Sequence, residues 1–324
     1  MTELDEGPAT DAERDAIDEA VALATHEAQE HPELRENDAC VAAAELRAQM
    51  HRANNHLARV APSARRWVAD GVGAFRGGAE LSSEALVAAA PDWVEIIPCP
   101  PDDISTDVDA YVVLNVVEYS ASAIPVFAQR VVIKSVRDMW VEGNDELREW
   151  LLDNAAVTVF NSPVHRSWFP YPVNTPTEVV PPPVDLERFR EAAKRSTKRE
   201  GTIWIGAMHR HKGILEAVHW AREHKEIVHF YGAGTAIPSQ EAYVWYHGKV
   251  DYDNVPDLMA RYEKFLYLPR VLDGFGRTVI EADACGLELI LDGLIGSQWY
   301  LENNRAALET GAERFWEVVD EYAH

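Results

Sequence analysis

Lysine is scarce in this 324-residue chain, and none occurs before Lys134. Lysine and arginine together number 30, against 54 acidic residues, so the formal net charge is -24. The chain therefore lacks the dense cationic face that nucleic acid or an anionic membrane requires of a main partner. We interpret the acidic surface as an adaptation to high salt, where screening reduces self-repulsion, and expect a halophilic organism or its virus as the source. A functional acidic patch is the alternative.

Cysteine and long apolar runs are also scarce. The three cysteines, Cys40, Cys99 and Cys285, are far apart and odd in number, which gives neither a disulfide framework nor metal-ligand spacing. No stretch reaches about 18 consecutive apolar residues, so we predict no transmembrane segment. The start, MTELDEGPAT, is acidic where a signal peptide is basic and then apolar. We therefore expect a cytoplasmic protein with reduced thiols.

The sequence pattern divides the chain into four parts. Residues 1–64 form an acidic extension, in which a capping box at Thr10 and Glu13 and a second cap at Asn37 predict two amphipathic helices. Residues 65–185 and 186–310 each alternate short Val/Ile-rich runs with helical ones, as parallel sheets buried on both faces do. Three successive prolines in NTPTEVVPPPVDLERF mark the boundary between them. Residues 311–324 are a last helix, which we expect to pack back towards the first domain.

The predicted strands are short and end in loops that carry the chemistry. They are RRWVAD, DWVEIIPC, VDAYVVLNVV, QRVVIKSV and AAVTVFNS in the first domain, and GTIWIGA, EIVHFYGAG, AYVWYHGKV, KFLYLPR and LELILDG in the second. The fold class is α/β, with two Rossmann-like domains facing a central cleft. Ligands of such sheets bind at the carboxyl ends of the strands.

Two glycine-containing loops are candidate anion sites. In DGVGAFRGGAELSSEALVAAA, Gly77 and Gly78 let the backbone approach a ligand just before a helix whose free amides attract anions; a tight structural turn is the alternative. In IWIGAMHRHKG, Arg210, Lys212 and Gly213 follow a strand that ends at Gly206 and form a candidate cationic clamp for phosphates. The two histidines of HRH are weak evidence for a metal.

Two further loops bring acids to the cleft. In YLPRVLDGFGRTVIEADACG, the run Gly274 to Thr278 forms a strand-to-helix turn whose amides can hold a diphosphate. Glu281 lies about one turn into that helix, where it can accept hydrogen bonds from ribose hydroxyls or simply favour the helix dipole. In VVIKSVRDMW, Arg137 and Asp138 follow a buried strand and form a structural ion pair or reach across the cleft.

Taken in order, these motifs resemble those of the GT-B glycosyltransferases, most closely glycosyltransferase family 4. RGGAE resembles the amino-terminal glycine motif of that family. VFNSPVHRSWF followed by TEVVPPPVDLERF resembles the segment between its domains. IGAMHRHKG is similar to its phosphate-binding Lys-Gly loop, and DGFGRTVIEADACG to its EGFG…EAMACG signature. The resemblance runs from about Arg65 to the last helix.

The resemblance implies transfer of a sugar from a nucleotide diphosphate donor, with retention at the anomeric carbon, by a hexosyltransferase-type enzyme. It assigns Lys212 and the amides of Phe275, Gly276 and Arg277 to the diphosphate, Glu281 to the ribose and Asp273 to the donor sugar. The candidate catalytic residues are Asp273, Glu281, Arg137 and Asp138, and the candidate donor-binding residues are Gly77, Gly78, Arg210, Lys212, Gly213, Gly274, Phe275, Gly276, Arg277 and Thr278.

Three residues depart from the family pattern. Asp273 replaces a glutamate that is one methylene longer, and Ala207 stands where an arginine is usual, for which Arg210 is the candidate replacement. Arg137 and Asp138 replace a His-Asp pair. These departures also fit a catalytically weak relative that only binds nucleotide sugar or glycan.

The expected reaction needs no metal and no cofactor besides the nucleotide sugar as co-substrate. Asp-x-Asp pairs such as Asp107/Asp109 and Asp251/Asp253 are typical of metal-dependent transferases of another fold, and we interpret them here as loop or surface acids. The run YGAGT contains only G-x-G of the dinucleotide-binding motif G-x-G-x-x-G, so it does not favour a dinucleotide-dependent oxidoreductase. A glycan, lipid-linked or protein acceptor is compatible with the sequence.

Overall fold

The computed structural model describes residues 78–96, 104, 106, 108–114, 119–136 and 145–323. The predictions for the extension 1–64, for the run RRWVAD, for Gly77 and for the pair Arg137 and Asp138 therefore concern residues outside this part of the chain. Within that part of the chain, no helix is long and apolar enough to cross a membrane.

The described residues of the first domain contain four parallel strands in the order β1-β2-β3-β4. They are β1 Ala110–Val113, β2 Val131–Val136, β3 Val157–Phe160 and β4 Thr177–Val179. Four α-helices accompany them, α1 Gly78–Ala88, α2 Ile124–Phe127, α3 Asp145–Asn154 and α4 Pro163–Trp168, with a 3-10 turn at Ala121–Ala123 before α2. β3 is buried at all four positions, as its valine-rich run predicts for a parallel strand covered on both faces.

Two expectations for this domain need correction. The described part of DWVEIIPC, residues 92–96, is not a strand: the Val94 amide bonds to the carbonyl of the preceding Pro91 at 2.9 Å and closes a turn, which leaves Trp93 58% exposed. The segment NTPTEVVPPPVD, interpreted only as an interruption, contains the edge strand β4. The prolines begin just after Val180, whose amide makes the last bond to this edge of the sheet, through the Phe160 carbonyl at 2.9 Å.

The second domain contains five parallel strands in the order β7-β6-β5-β8-β9. They are β5 Thr202–Ala207, β6 Val228–Ala233, β7 Val244–Tyr246, β8 Lys264–Tyr267 and β9 Glu288–Leu291, one in each run that the sequence predicted. The helices are α5 Leu186–Arg195, α6 Ile214–His224, α7 Val255–Met259, α8 Arg277–Ala284, α9 Gly296–Asn303 and α10 Gly311–Ala323, and 3-10 turns lie at Arg210–Lys212, Tyr252–Asn254 and Arg305–Leu308.

Each face of the second sheet has its own apolar core. One face packs residues such as Ile203, Phe265 and Val279, and the other packs Trp204 and Phe230. Because side chains alternate along a strand, Ile203 and Trp204 on β5 supply opposite cores. The two faces are thus covered by different helices, as in a doubly wound sheet.

The last helix, α10, returns to the first domain. Phe315, Trp316 and Val318 pack into the core that contains Ile133 of β2, and the Trp316 indole donates to the Leu86 carbonyl on α1 at 3.0 Å. This buries a large aromatic side chain and pairs its one polar atom. The end of the chain therefore holds the two domains together.

Candidate functional site

Two loops meet at the carboxyl edge of the second sheet. β5 and β8 are hydrogen-bonded neighbours, so the loops that follow them leave the sheet side by side. The loop after β5 contains the 3-10 turn Arg210–Lys212 and then Gly213, and the loop after β8 leads to α8 at Arg277. The candidate phosphate clamp and the DGFG turn therefore lie at one place, which is where open α/β sheets bind ligands.

Gly213 sets the contact between these loops. It has φ 78°, in the left-handed region, and a Cβ atom there would lie 1.8 Å from the Leu268 carbonyl oxygen. Only glycine accepts both the conformation and the close approach. The Lys-Gly pair thus has a structural reason for its glycine: the backbone must pass against the end of β8 to bring Lys212 to the second loop.

Lys212 pairs with Asp273 across the two loops. The Lys212 Nζ atom is 3.0 Å from Asp273 Oδ2, and the Tyr267 hydroxyl donates to the same oxygen at 2.5 Å. Burial alone would raise the pKa of the Asp273 carboxyl, but the Lys212 ammonium, the Tyr267 hydroxyl and the Phe275 amide stabilise the charged form and lower the pKa to about 2. Asp273 is therefore a carboxylate at neutral pH.

The turn from Gly274 to Gly276 is fixed by bonds to its carbonyl groups. The Ser162 hydroxyl at the start of α4 donates to the Gly274 carbonyl at 2.9 Å, and the Ser297 amide and hydroxyl donate to the Phe275 and Gly276 carbonyls. Gly276 has φ 73° and precedes α8 directly. Because serine side chains and a serine amide bond the carbonyl groups of the turn, the free backbone amides at the beginning of α8 are the groups that remain to contact an anion.

The amides of this turn differ in their availability. The Phe275 amide, expected to bind diphosphate, donates to Asp273 Oδ1 at 3.2 Å. Arg277 and Thr278 are the first two residues of α8, and first-turn amides have no partner within their own helix. We therefore assign any anion contact to the start of α8 in preference to Phe275.

Glu281 is more buried than expected of a cleft residue. Its side chain is 1% exposed, and its Oε1 atom accepts from Arg277 Nε at 2.9 Å and from the Tyr252 hydroxyl at 2.7 Å. Burial raises the pKa of the Glu281 carboxyl above its ordinary value, while Arg277 and Tyr252 partly offset that rise. Glu281 is the fifth residue of α8, beyond the first turn, so a simple helix-dipole role does not explain it.

The first domain reaches this site through α1. The Arg277 guanidinium donates to the Ser82 hydroxyl at 3.1 Å, and a Cβ atom on Gly78 would lie 3.9 Å from the Arg277 side chain. The amino-terminal glycine motif is thus beside the DGFG turn at Gly78, while its other member, Gly77, lies outside the described residues.

The remaining candidates have other surroundings. Arg210 begins the 3-10 turn, where the rings of His209 and His211 stack with centroids 5.5 Å apart. Asp251 is exposed, and Asp253 pairs with Arg188 at 3.1 Å. Among the described residues, no three His, Cys, Asp or Glu side chains are grouped to hold a metal.

The glycines of YGAGT have a packing role. A Cβ atom at Gly232 would lie 2.0 Å from the Gly206 carbonyl oxygen, and one at Gly234 would lie 2.3 Å from the Met208 carbonyl oxygen. The end of β6 and the loop that follows it therefore pack closely against the end of β5, which accounts for both glycines without a nucleotide.

Two site residues were missed from the sequence, Tyr252 and Tyr267. Tyr267 ends the buried part of β8 six residues before Asp273, and its hydroxyl at the end of a buried strand is a usable signal. Tyr252 is 29 residues from Glu281, and no local pattern relates the two.

No family model and no curated protein matches the chain. Among solved structures, it is similar to AviGT4, a glycosyltransferase involved in avilamycin A biosynthesis, with 17% identity over 76% of this chain and 90% of that one and a TM-score of 0.52. It is also similar to HepE of Anabaena in complex with UDP and glucose, with 14% identity over 75% and 73% of the two chains and a TM-score of 0.46. Sucrose-phosphate synthase from Thermosynechococcus elongatus gives 17% identity over 60% of each chain and a TM-score of 0.43.

The likeness to AviGT4, together with the two parallel sheets, shows that the chain has the GT-B fold of glycosyltransferases. The fold implied by the resemblance is thus confirmed. Because fold alone does not fix chemistry, the activity has to be argued from the site.

Proposed function

We propose that the chain is a glycosyltransferase that moves a sugar from a nucleoside diphosphate sugar to an acceptor. The observation that carries this proposal is the meeting of Lys212, Asp273 and the start of α8 at the carboxyl ends of two neighbouring strands. A cation, a carboxylate and free helix amides in one place match the diphosphate and the hydroxyls of such a donor.

Each group has a role in the proposed reaction. Lys212 and the amides at Arg277 and Thr278 bind the diphosphate, whose negative charge grows as the bond to the sugar breaks; preorganised cations and amides stabilise that charge. Asp273 accepts from sugar hydroxyls and Glu281 from the ribose. Since Lys212 pairs with Asp273 without donor, the donor must share or displace that contact.

We further propose that the sugar is transferred with retention and without a metal ion. The acceptor oxygen forms its bond to the anomeric carbon on the face from which the diphosphate leaves, and the acceptor proton passes to the departing phosphate. The Lys212 ammonium then supplies the positive charge that a metal supplies elsewhere, and no protein base is needed. A glycan, a lipid-linked sugar or a protein is the acceptor class we propose, in a cytoplasmic setting.

A thermal-shift screen with UDP, GDP, ADP, CMP and dTDP in high salt identifies the donor nucleotide. A ligand present at about 100 times its dissociation constant stabilises the folded protein by about 2.7 kcal/mol, which is a readable shift. Hydrolysis of the matching nucleotide sugar is then compared between the wild type, Glu281→Ala and a control, Glu226→Ala.

Glu226 suits the control because it pairs with Lys264 at 2.8 Å at the opposite, amino-terminal end of β8. We expect Glu281→Ala to lose nearly all turnover and Glu226→Ala to keep it. Equal turnover by the wild type and Glu281→Ala would exclude the assigned site.

A second candidate function is binding of a nucleotide sugar or glycan without turnover. It is favoured by the internal pairing of the site, since Asp273 already accepts from Lys212 and Tyr267, and Glu281 from Arg277 and Tyr252. Calorimetry that finds tight nucleotide binding, with no turnover over a broad panel of donors and acceptors, would support this candidate; robust turnover would eliminate it.

A further inference from the structure

The Arg277 side chain joins four groups from separate parts of the chain. Its guanidinium is nearly buried, with 10% of the side chain exposed. Nε donates to Glu281 at 2.9 Å and Nη2 to the Tyr252 hydroxyl at 3.1 Å, while Nη1 donates to Ser82 Oγ at 3.1 Å and to the Pro183 carbonyl at 3.0 Å. All three nitrogens thus have partners, which holds the planar group in one orientation.

These partners lie on both sides of the domain boundary. Ser82 is on α1 of the first domain, and its hydroxyl donates to the Gly78 carbonyl at 2.8 Å, which leaves its oxygen to accept from Arg277. Pro183 belongs to the connecting segment, and Glu281 to the second domain. One buried cation therefore ties the acid of the site to the first domain.

The position of Glu281 depends on this cation. Loss of Arg277 would leave Glu281 its hydrogen bond from the Tyr252 hydroxyl but remove its ion pair. A buried carboxylate without a compensating positive charge is unfavourable, so Glu281 would then become protonated or displaced. Arg277 in turn is oriented by Ser82 and Pro183, neither of which belongs to the second sheet. An ordinary helix pair between residues four apart needs neither of those contacts.

We propose that Arg277 is a positioning residue that holds Glu281 for the nucleotide and couples nucleotide binding in the second domain to the seating of α1. This inference rests on the proposed function only in assigning the nucleotide to Glu281. The coupling itself is a property of the protein without ligand.

The test is a double-mutant cycle on nucleotide affinity. Calorimetry with the nucleotide that gives the largest shift in the screen is carried out on the wild type, Ser82→Ala, Arg277→Met and the double variant. We expect Ser82→Ala to weaken binding about fivefold in the wild-type background and to have no effect when Arg277 is already methionine, because contacting residues are coupled by that order of magnitude. Arg277→Lys, which keeps the charge without the planar fork, should fall between the wild type and Arg277→Met.

Ser167→Ala is the matched control. The Ser167 hydroxyl also bonds back along its own helix, to the Val164 carbonyl at 3.0 Å, but it is exposed. We expect this variant to bind nucleotide as the wild type does. An effect of Ser82→Ala that is equal in both backgrounds, or no effect in either, overturns the proposal.

A second readout separates this inference from the proposed function. Urea unfolding of the same four proteins without ligand measures whether the substitutions at 82 and 277 are additive. A non-additive loss of unfolding free energy supports the coupling between residues 82 and 277, whether or not nucleotide binds the wild type. Absence of nucleotide binding would reject the proposed function alone. Strictly additive loss rejects the coupling even if the nucleotide binds tightly.

Discussion

At the scale of single residues, each acid of the site has a basic side chain and a tyrosine hydroxyl among its partners. Tyr267 donates to Asp273 at 2.5 Å, and Tyr252 donates to Glu281 at 2.7 Å. Hydrogen bonds to ionised groups are stronger than those between neutral groups. Each tyrosine hydroxyl therefore favours the ionised form of the acid that it contacts and helps to hold that acid in place.

Removal of the Tyr267 hydroxyl should lower the free energy of unfolding more than removal of a hydroxyl whose partner is neutral. We expect Tyr267→Phe to lower the free energy of unfolding by about 1.5–3 kcal/mol, as for bonds to charged groups. Tyr246→Phe is the control, because the Tyr246 hydroxyl donates to the neutral Gly232 carbonyl at 3.2 Å, and about 1 kcal/mol is expected there. Urea unfolding at neutral pH measures both, and equal losses would argue against a charged Asp273.

The lowered pKa of Asp273 predicts an acid-dependent stability. A carboxyl whose pKa falls on folding, here to about 2, stabilises the protein above its ordinary pKa of about 4, and that stabilisation is lost as the pH falls towards about 2. We expect the wild type to exceed Asp273→Asn in unfolding free energy by about 2 kcal/mol at pH 6 and to converge with it near pH 2. A difference that stays constant over this range would contradict the pairing with Lys212.

At the scale of elements, the sequence indicated the strands and the turn but not the partners of their side chains. The runs that became β5 and β8 are apolar and bounded by glycine or proline, so local pattern suffices to find them. The run DWVEIIPC also has apolar residues before a proline, yet its Val94 amide closes a turn back to the preceding Pro91. Composition alone could not distinguish the two cases, because strand formation depends on a neighbour in the sheet.

In the loops of the candidate site, too, local sequence indicates the backbone but not the long-range contacts of the side chains. Gly274 to Thr278 could be predicted as a strand-to-helix turn from spacing, and the structure begins α8 at Arg277. That Arg277 would reach Ser82, 195 residues away in sequence, could not be predicted, because such a contact is set by how the domains pack. Contacts between the two domains are therefore the part of the site that the sequence pattern does not predict.

The close approach at Gly213 gives a prediction at this scale. Gly213→Ala should lower the free energy of unfolding by more than about 2 kcal/mol, because its Cβ atom would lie 1.8 Å from the Leu268 carbonyl oxygen and its φ is 78°. Gly248→Ala is the control: its φ is 84°, but no atom lies within 4 Å of the added carbon, so only a conformational cost of about 1–2 kcal/mol remains. Thermal unfolding measures both variants. Similar losses of unfolding free energy in Gly213→Ala and Gly248→Ala would mean that the loop after β8 can move away from residue 213.

At the scale of the whole molecule, the net charge of -24 opposes compaction through self-repulsion. Salt screens that repulsion, with a Debye length of about 10 Å at 0.1 M and about 3 Å at 1 M. We therefore expect the unfolding midpoint in urea to rise steadily with KCl from about 0.1 M to about 2 M. A midpoint that does not change with KCl would exclude charge screening as the basis of a high-salt adaptation.

The most direct test of the account compares two lysines on opposite ends of β8. Lys212 pairs with Asp273 beside its carboxyl end, and Lys264 pairs with Glu226 at its amino end, so both substitutions break an ion pair of the second domain. Calorimetry with UDP, GDP, ADP, CMP and dTDP is carried out on the wild type, Lys212→Met and Lys264→Met. We expect at least one nucleoside diphosphate to bind the wild type and Lys264→Met alike, and its affinity for Lys212→Met to fall at least about tenfold, which corresponds to about 1.4 kcal/mol. Equal affinity for all three proteins, or no binding by the wild type, would contradict this expectation.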